Sequence, residues 1–178
     1  MHEEKQLSSR EIFSGRIFRV TEDRVLLENQ KEASREIVHH HGGVCVAALD
    51  EQDQLLFVRQ FRYAFGQELL ELPAGKREAG EDPAVCGMRE LEEECGYRAG
   101  RFQLLTAMYP TVGYCNEIIH IYLAQDLIPS KQHLDEDEFL SVEKIPFDQA
   151  LHMVLRDEIP DAKTQLAILK IHALRSCK

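Results

Sequence analysis

Residues 75–97 run Gly75-Lys76-Arg77-Glu78-Ala79-Gly80-Glu81-Asp82-Pro83-Ala84-Val85-Cys86-Gly87-Met88-Arg89-Glu90-Leu91-Glu92-Glu93-Glu94-Cys95-Gly96-Tyr97. Asp82 followed by Pro83 marks a helix start, because an aspartate caps free amide groups and proline suits the first helical position. Val85, Met88, Leu91 and Cys95 recur at helical spacing and are expected to face a core. Gly96 then stops the helix by taking the left-handed conformation. On such a helix Glu90 and Glu94 lie one turn apart with Glu93 beside them, their Cβ atoms about 5–6 Å from one another. Three ionised carboxylates on one stripe repel, unless a cation lies among them. Hard divalent ions such as Mg²⁺ take oxygen ligands of this kind and leave room for water and substrate phosphates. Arg89, one turn before Glu93, is placed to restrain that carboxylate.

Working outward, Ile17–Val20, Arg24–Leu27 and Arg35–Val38 read as short strands. Gly42-Gly43 breaks the chain before Val44–Leu49, an apolar run suited to a buried strand. The polar turn 50–53 and Leu55–Val58 complete what looks like a hairpin. His39-His40-His41 alternates across a strand and reads as a solvated or packed strand end. Beyond the helix, 102–107, 117–124 and 139–142 are strand-like. Phe147–Leu155 and Asp161–Leu174 are helical, separated by Pro160. Strands, helix, strands, helices in that order predict a mixed α+β or α/β/α sandwich.

The 178 residues carry 31 acids against 21 bases, a net charge of −10. That size suits one domain of ordinary size. The charge argues against a nucleic-acid backbone binder and against attraction to anionic membranes. No apolar run reaches the roughly 20 residues that span a bilayer. Met1-His2-Glu3-Glu4-Lys5 has no apolar run of a secretory signal, so a cytoplasmic location is expected. Five cysteines with no Cys-x-x-Cys pair argue against a disulfide framework or a structural zinc site. The negative charge is local: residues 75–97 have a net charge of −4, and Asp135-Glu136-Asp137-Glu138 add another −4.

Residues 75–97 match Gly-x5-Glu-x7-Arg-Glu-U-x-Glu-Glu-x-Gly-U at every fixed position, U being bulky and apolar, with Tyr97 where an aliphatic residue is more usual. The sequence therefore resembles a Nudix hydrolase. The resemblance implies an α/β/α sandwich around a mixed sheet and hydrolysis of a nucleoside diphosphate linked to a second group, with Mg²⁺ or Mn²⁺. It implies that Glu90, Glu93 and Glu94 ligate or orient metal, with the carbonyl of Ala74 as a further ligand. Glu81 would brace the loop, and Gly75 would allow a tight backbone turn.

Arg35-Glu36-Ile37-Val38, Gln60-Phe61-Arg62, Glu71-Leu72-Pro73-Ala74-Gly75 and Asp161-Ala162-Lys163-Thr164 resemble the ADP-ribose pyrophosphatase branch. That resemblance implies a homodimer, with residues 1–40 as an N-terminal antiparallel β-segment for dimerisation and substrate pocket, and 41–178 as the hydrolase domain. Arg35, Arg62 and Glu71 match substrate-binding positions, and Gly113 of Tyr109-Pro110-Thr111-Val112-Gly113 belongs with them. Valine stands at 112, where members of the branch often have proline. The aromatic that stacks on adenine is left open among Phe13, Phe18 and Phe65, each also suited to a core. The implied reaction takes ADP-ribose to AMP and ribose 5-phosphate, with Arg89 and Glu93 in the catalytic group. The base that deprotonates water would come from the acidic loop, Glu138 first and Glu136 second. The alternatives are another nucleotide-sugar pyrophosphatase, such as one for GDP-mannose, and a non-catalytic ligand-sensing module.

Overall fold

The computed structural model describes residues 2–136 and 138–177; Asp137 of the acidic loop lies outside the described residues. The chain forms two compact units. The first contains the residues up to Gly42 together with Tyr109–Ile118, and the second contains Gly43–Met108 and the chain from Ile119 onward.

In the first unit, β1 (Lys5–Ser14), β2 (Phe18–Leu26) and β3 (Glu32–His40) make an antiparallel sheet in that order. The two short strands expected at Ile17–Val20 and Arg24–Leu27 are one. Pairing with β3 is continuous from Phe18↔His40 to Leu26↔Glu32, and Thr21 and Val25 are its buried residues. β1 was not expected, since all ten of its residues are exposed and no apolar alternation marks it. Backbone pairing with β2 holds it, aided by Ser9–Asp23 and Arg10–Glu22, each at 2.6 Å. The 109–118 segment joins through Val38, whose N–H donates to Tyr114 O and whose carbonyl accepts from Asn116. His39 hydrogen-bonds Thr21, and His40 Nδ1 accepts from the Gly42 amide, so both serve as packed strand-end residues.

The second unit holds β4 (Gly43–Ala48), β5 (Gln54–Arg62), β6 (Gln67–Glu71), β7 (Ala74–Lys76), α1 (Pro83–Cys95), β8 (Tyr97–Met108), β9 (Ile119–Pro129), β10 (Leu140–Pro146), α2 (Phe147–Leu155) and α3 (Ala162–Ser176). A mixed sheet has the order β7-β4-β9-β8, with β4 parallel to β9, and a second sheet has the order β10-β5-β6. Alternate residues of β4 point to opposite sides. Cys45 and Ala47 pack in a cluster with Phe147 and Leu151 of α2 and Ile168 and Ile171 of α3. Val46 and Ala48 pack with Leu91 and Cys95 of α1. Helices thus cover both faces, which is the α/β/α sandwich expected from the sequence.

Three local expectations are corrected. β4 and β5 do not pair as a hairpin within one sheet: they lie in different sheets, linked at the turn by a Leu49↔Leu55 bridge and by the Asp50 amide donating to Gln54 O. Both are so apolar that each is buried between layers, and periodicity cannot distinguish that from pairing with each other. Val85 and Met88 of α1 are exposed, whereas Cys86, Gly87, Leu91, Glu94 and Cys95 are buried. Gly87 permits this rotation, because a Cβ there would come within 2.9 Å of the Phe102 ring. Gly75 does not adopt a left-handed turn. A Cβ there would meet the Glu90 carboxyl at 1.9 Å, so glycine is required to make room for an acid. The capping expectations hold: Asp82 accepts from the amides of Ala84 and Val85, and Gly96 has φ 70°.

Candidate active site

All the box carboxylates lie in the second unit, on α1 and the loop before it. Arg89 is their hub. Its guanidinium meets Glu81 Oε1 at 3.1 Å, Glu93 Oε2 at 2.7 Å and Glu90 Oε1 at 3.0 Å, the last two through the same nitrogen. These acids raise the Arg89 pKa against the opposing effect of burial. Glu81 also accepts from the Glu78 amide at 2.9 Å, which ties the loop to the helix. The sequence predicted the Arg89–Glu93 contact; the bridge to Glu81 and Glu90 emerges from folding.

Glu90 and Glu94 face inward. Glu94 is only 2% exposed, and its Oε2 accepts from the Ala74 amide at 2.9 Å. Burial pushes its carboxyl up to about 8; the Ala74 amide opposes this, and repulsion from Glu90 and Glu138 adds to it. Burial likewise pushes Glu90 up to about 7, against Arg89 and reinforced by Glu93 and Glu138. Glu138 thus reaches the field of both acids. It comes from the loop before β10, where its amide donates to Asp135 O and its carboxylate lies 3.4 Å from Gln60 Nε2.

Among the described residues, no three Asp, Glu, His or Cys side chains already converge as a ligand set, and an Arg89 nitrogen contacts both Glu90 and Glu93. The chemistry of the donors nevertheless suits a hard divalent cation. Glu94 is buried and Glu90 partly so, nearby cations do not fully balance their ionised forms, and Gly75 leaves room for the Glu90 carboxyl.

A second polar group lies at β5, β6 and the start of α3. Arg62 grips Glu71 with two hydrogen bonds of 2.5 and 2.9 Å, and Lys163 Nζ reaches Glu71 Oε2 at 2.5 Å and Asp161 Oδ1 at 2.9 Å. Burial pushes the Glu71 carboxyl up, but Arg62 and Lys163 outweigh it and hold it below the usual carboxylate range. Two of the four residues matched to substrate binding, Arg62 and Glu71, therefore bind each other. Lys163 is not among the sequence-derived site residues; its place in the Asp161-Ala162-Lys163-Thr164 motif was the available signal for its contact with Glu71.

Arg35 and Gly113 belong to the first unit. Arg35 is paired with Glu4 at 2.5 and 2.9 Å. Nothing lies within 4 Å of a Cβ built on Gly113. Of the aromatic candidates, Phe13 and Phe18 pack against each other at 5.7 Å, and Phe65 is 71% exposed, so none is core. All five cysteines are free. Burial pushes the thiols of Cys45, Cys86 and Cys95 up, which keeps them protonated and unreactive.

With this geometry in hand, known proteins place the chain. The NUDIX domain family matches residues 39–166, and the nucleoside diphosphate sugar hydrolase N-terminal domain matches residues 4–38. The chain belongs to the NUDIX family and is a Nudix hydrolase. ADP-ribose pyrophosphatase of Bacillus subtilis (strain 168) is 42% identical over 168 residues, 93% of this chain and 91% of that protein. The methanol dehydrogenase activator of Bacillus methanolicus is 39% identical over 170 residues, 94% and 92% of the two chains. A crystal structure of an ADP compounds hydrolase superposes with TM-score 0.86 over 98% of this chain and 95% of that one; at 20% identity the likeness is one of fold. No helix among the described residues is long and apolar enough to cross a membrane.

Proposed function

We infer that the chain hydrolyses the pyrophosphate bond of ADP-ribose, giving AMP and ribose 5-phosphate, with Mg²⁺ as cofactor and Mn²⁺ as substitute. The observation that carries the chemistry is the inward placement of Glu90 and Glu94 on α1, with the Ala74 amide on Glu94 and Gly75 making room for the Glu90 carboxyl. Glu90, Glu93, Glu94 and the Ala74 carbonyl would hold the cation. When bound, it supplies positive charge to the pyrophosphate oxygens and lowers the pKa of water. Glu138 accepts the proton of the attacking water and orients it toward phosphorus. Glu136 is second choice, since registering the loop on Phe139-Leu140-Ser141-Val142 favours Glu138. Arg89 steers Glu93 and Glu90 and locks the loop through Glu81.

Glu71 holds Arg62 in a fixed orientation, leaving the guanidinium edge that remains for substrate oxygens. Arg35 and Gly113 contribute further substrate contacts. ADP-ribose is preferred to GDP-mannose because the ADP-ribose pyrophosphatase relative is 42% identical over 93% of the chain. The GDP-mannose pyrophosphatase of Escherichia coli (strain SMS-3-5 / SECEC) is 32% identical over 75%. Residues 1–40 form a dimerisation arm and 41–178 the hydrolase domain. The arm exposes Leu7, Ile12, Phe13, Ile17 and Phe18, an apolar surface that a second copy would cover. The free thiols suit a cytoplasmic location, and the acidic balance suits neither nucleic acid nor membrane.

The decisive experiment offers a panel of nucleotide sugars with Mg²⁺ and measures released phosphomonoester. ADP-ribose should give the highest kcat/KM. A higher value for GDP-mannose overturns the substrate, and activity on none overturns catalysis. Light scattering should give twice the 20.5 kDa chain mass.

A further inference from the structure

The chain crosses from one sheet of the second unit to the other at Leu72-Pro73. β6 ends at Glu71, paired with Val58, and β7 begins at Ala74, paired with Cys45. Ladder pairing lapses between them, yet Leu72 is fully buried. A buried amide there needs a partner. It comes from 92 residues further along the chain: Leu72 N donates to Thr164 Oγ1 at 2.9 Å.

Thr164, on the first turn of α3, is itself fully buried. Its hydroxyl donates to Asp161 Oδ2 at 2.5 Å, and the same oxygen accepts from the Thr164 amide at 3.0 Å. A hydroxyl has one proton. With that proton directed to Asp161, a lone pair is left for Leu72, so the hydroxyl is oriented from both sides. The consequences run along the backbone. The Pro73 carbonyl accepts from Val46 N at 2.8 Å, and the next amide, Ala74, orients Glu94 at 2.9 Å.

We propose that Thr164 is a positioning residue for the cation site: its hydroxyl pins Leu72 and so sets the path of Pro73-Ala74, which presents the Ala74 amide to Glu94 and the Ala74 carbonyl as a donor. The inference rests on the reading of Glu90, Glu93, Glu94 and Ala74 as the donor set. Thr164 touches neither cation nor substrate; it acts through the backbone, as outer-shell partners of metal ligands do, and their loss typically weakens metal binding or activity about 10–100-fold.

The test measures Mn²⁺ binding to the full chain, without substrate, by electron paramagnetic resonance. Thr164→Ser keeps the hydroxyl and should bind within about twofold of wild type. Thr164→Val and Thr164→Ala should each raise the Kd for Mn²⁺ about tenfold. The Mg²⁺ concentration for half-maximal activity should rise in parallel, while kcat at saturating Mg²⁺ changes much less. A folded Val or Ala variant with a wild-type Kd overturns the proposal, even if its Tm has dropped, because the hydroxyl would then serve stability alone. Loss of folding in both, read by circular dichroism, overturns it on the same ground. A wild-type chain that binds no Mn²⁺ removes the donor-set reading and this inference with it; wild-type-like Kd values in the variants remove this inference alone.

Discussion

Glu94 of α1 and Glu71 of β6 are equally buried, at 2% and 3% exposure, yet titrate in opposite directions. Glu71 has Arg62 and Lys163 on its oxygens and is held below the usual range. Glu94 has one amide, with Glu90 and Glu138 nearby, and is pushed up to about 8. Burial alone therefore does not determine the protonation of a carboxylate; the charges that fold in beside it do. Glu71 is a completed pair that fixes geometry. The ionised form of Glu94 is one that the folded chain does not balance by itself, so without a cation it keeps its proton, and a bound cation would stabilise the carboxylate.

That contrast breaks most sharply at Glu94→Gln. Turnover should fall about 10³-fold or more, because a metal supplies several kcal/mol of transition-state stabilisation and each ~1.4 kcal/mol is tenfold. In EDTA at pH 8 the same variant should melt higher than wild type, since the amide removes a buried charge and keeps an acceptor for Ala74. Wild-type kcat with saturating Mg²⁺ would sink the assignment of the metal site. Next in size, Glu138→Gln should lower kcat about 10²-fold, the lower end for general base catalysis, while Glu136→Gln stays near normal. The opposite ranking would move the base to Glu136, and two near-normal variants would remove the loop from the chemistry.

On the balanced side, Arg62→Ala leaves Glu71 with Lys163 alone. It should cost about 2 kcal/mol of stability and raise KM more than it lowers kcat. An unchanged melting curve would mean that Lys163 suffices. The contrast also appears in the pH dependence of stability without divalent cation. Glu90 and Glu94 have folded pKa values of about 7 and 8, above their ordinary 4.5, so the folded state holds protons that the unfolded state has released. Their contribution is complete below pH 4.5 and is lost as pH rises through about 7–8. Glu71 acts in reverse: its contribution is present above pH 4.5 and is lost as pH falls through its lowered value. Melting temperature in EDTA should therefore decline between pH 5 and pH 8, by less in Glu94→Gln, and saturating Mg²⁺ should flatten the decline. A decline of equal size in Glu94→Gln would mean that other groups produce it.

The legible parts of the molecule were those where the physics is local. Asp82, Pro83 and Gly96 act within a turn of themselves, so both ends of α1 could be placed from sequence. The spacing of Glu90, Glu93 and Glu94 is a property of any helix. β1 was not legible, because its polar, exposed residues carry no period and only its pairing with β2 makes it a strand. The inward face of α1 was legible at Leu91 and Cys95, which are buried, but not at Val85 and Met88, where Gly87 against Phe102 and Glu94 against Ala74 outweigh the apolar count. The separation of β4 and β5 into two sheets escaped for a related reason: two uniformly apolar runs fit a hairpin or two layers equally well.

The sequence by itself determined the box, its helix, the stripe of three acids, the concentration of charge in 75–97 and 135–138, and the order of strands and helices that leads to a sandwich. Only the tertiary structure decided which acids are balanced. It brought Arg62 and Lys163 onto Glu71, Glu138 near Glu90 and Glu94, and Thr164 onto the Leu72 amide, across separations of up to 92 residues. Helical spacing follows from bonds within a few residues, whereas the charge state of a buried acid depends on the groups that folding packs around it.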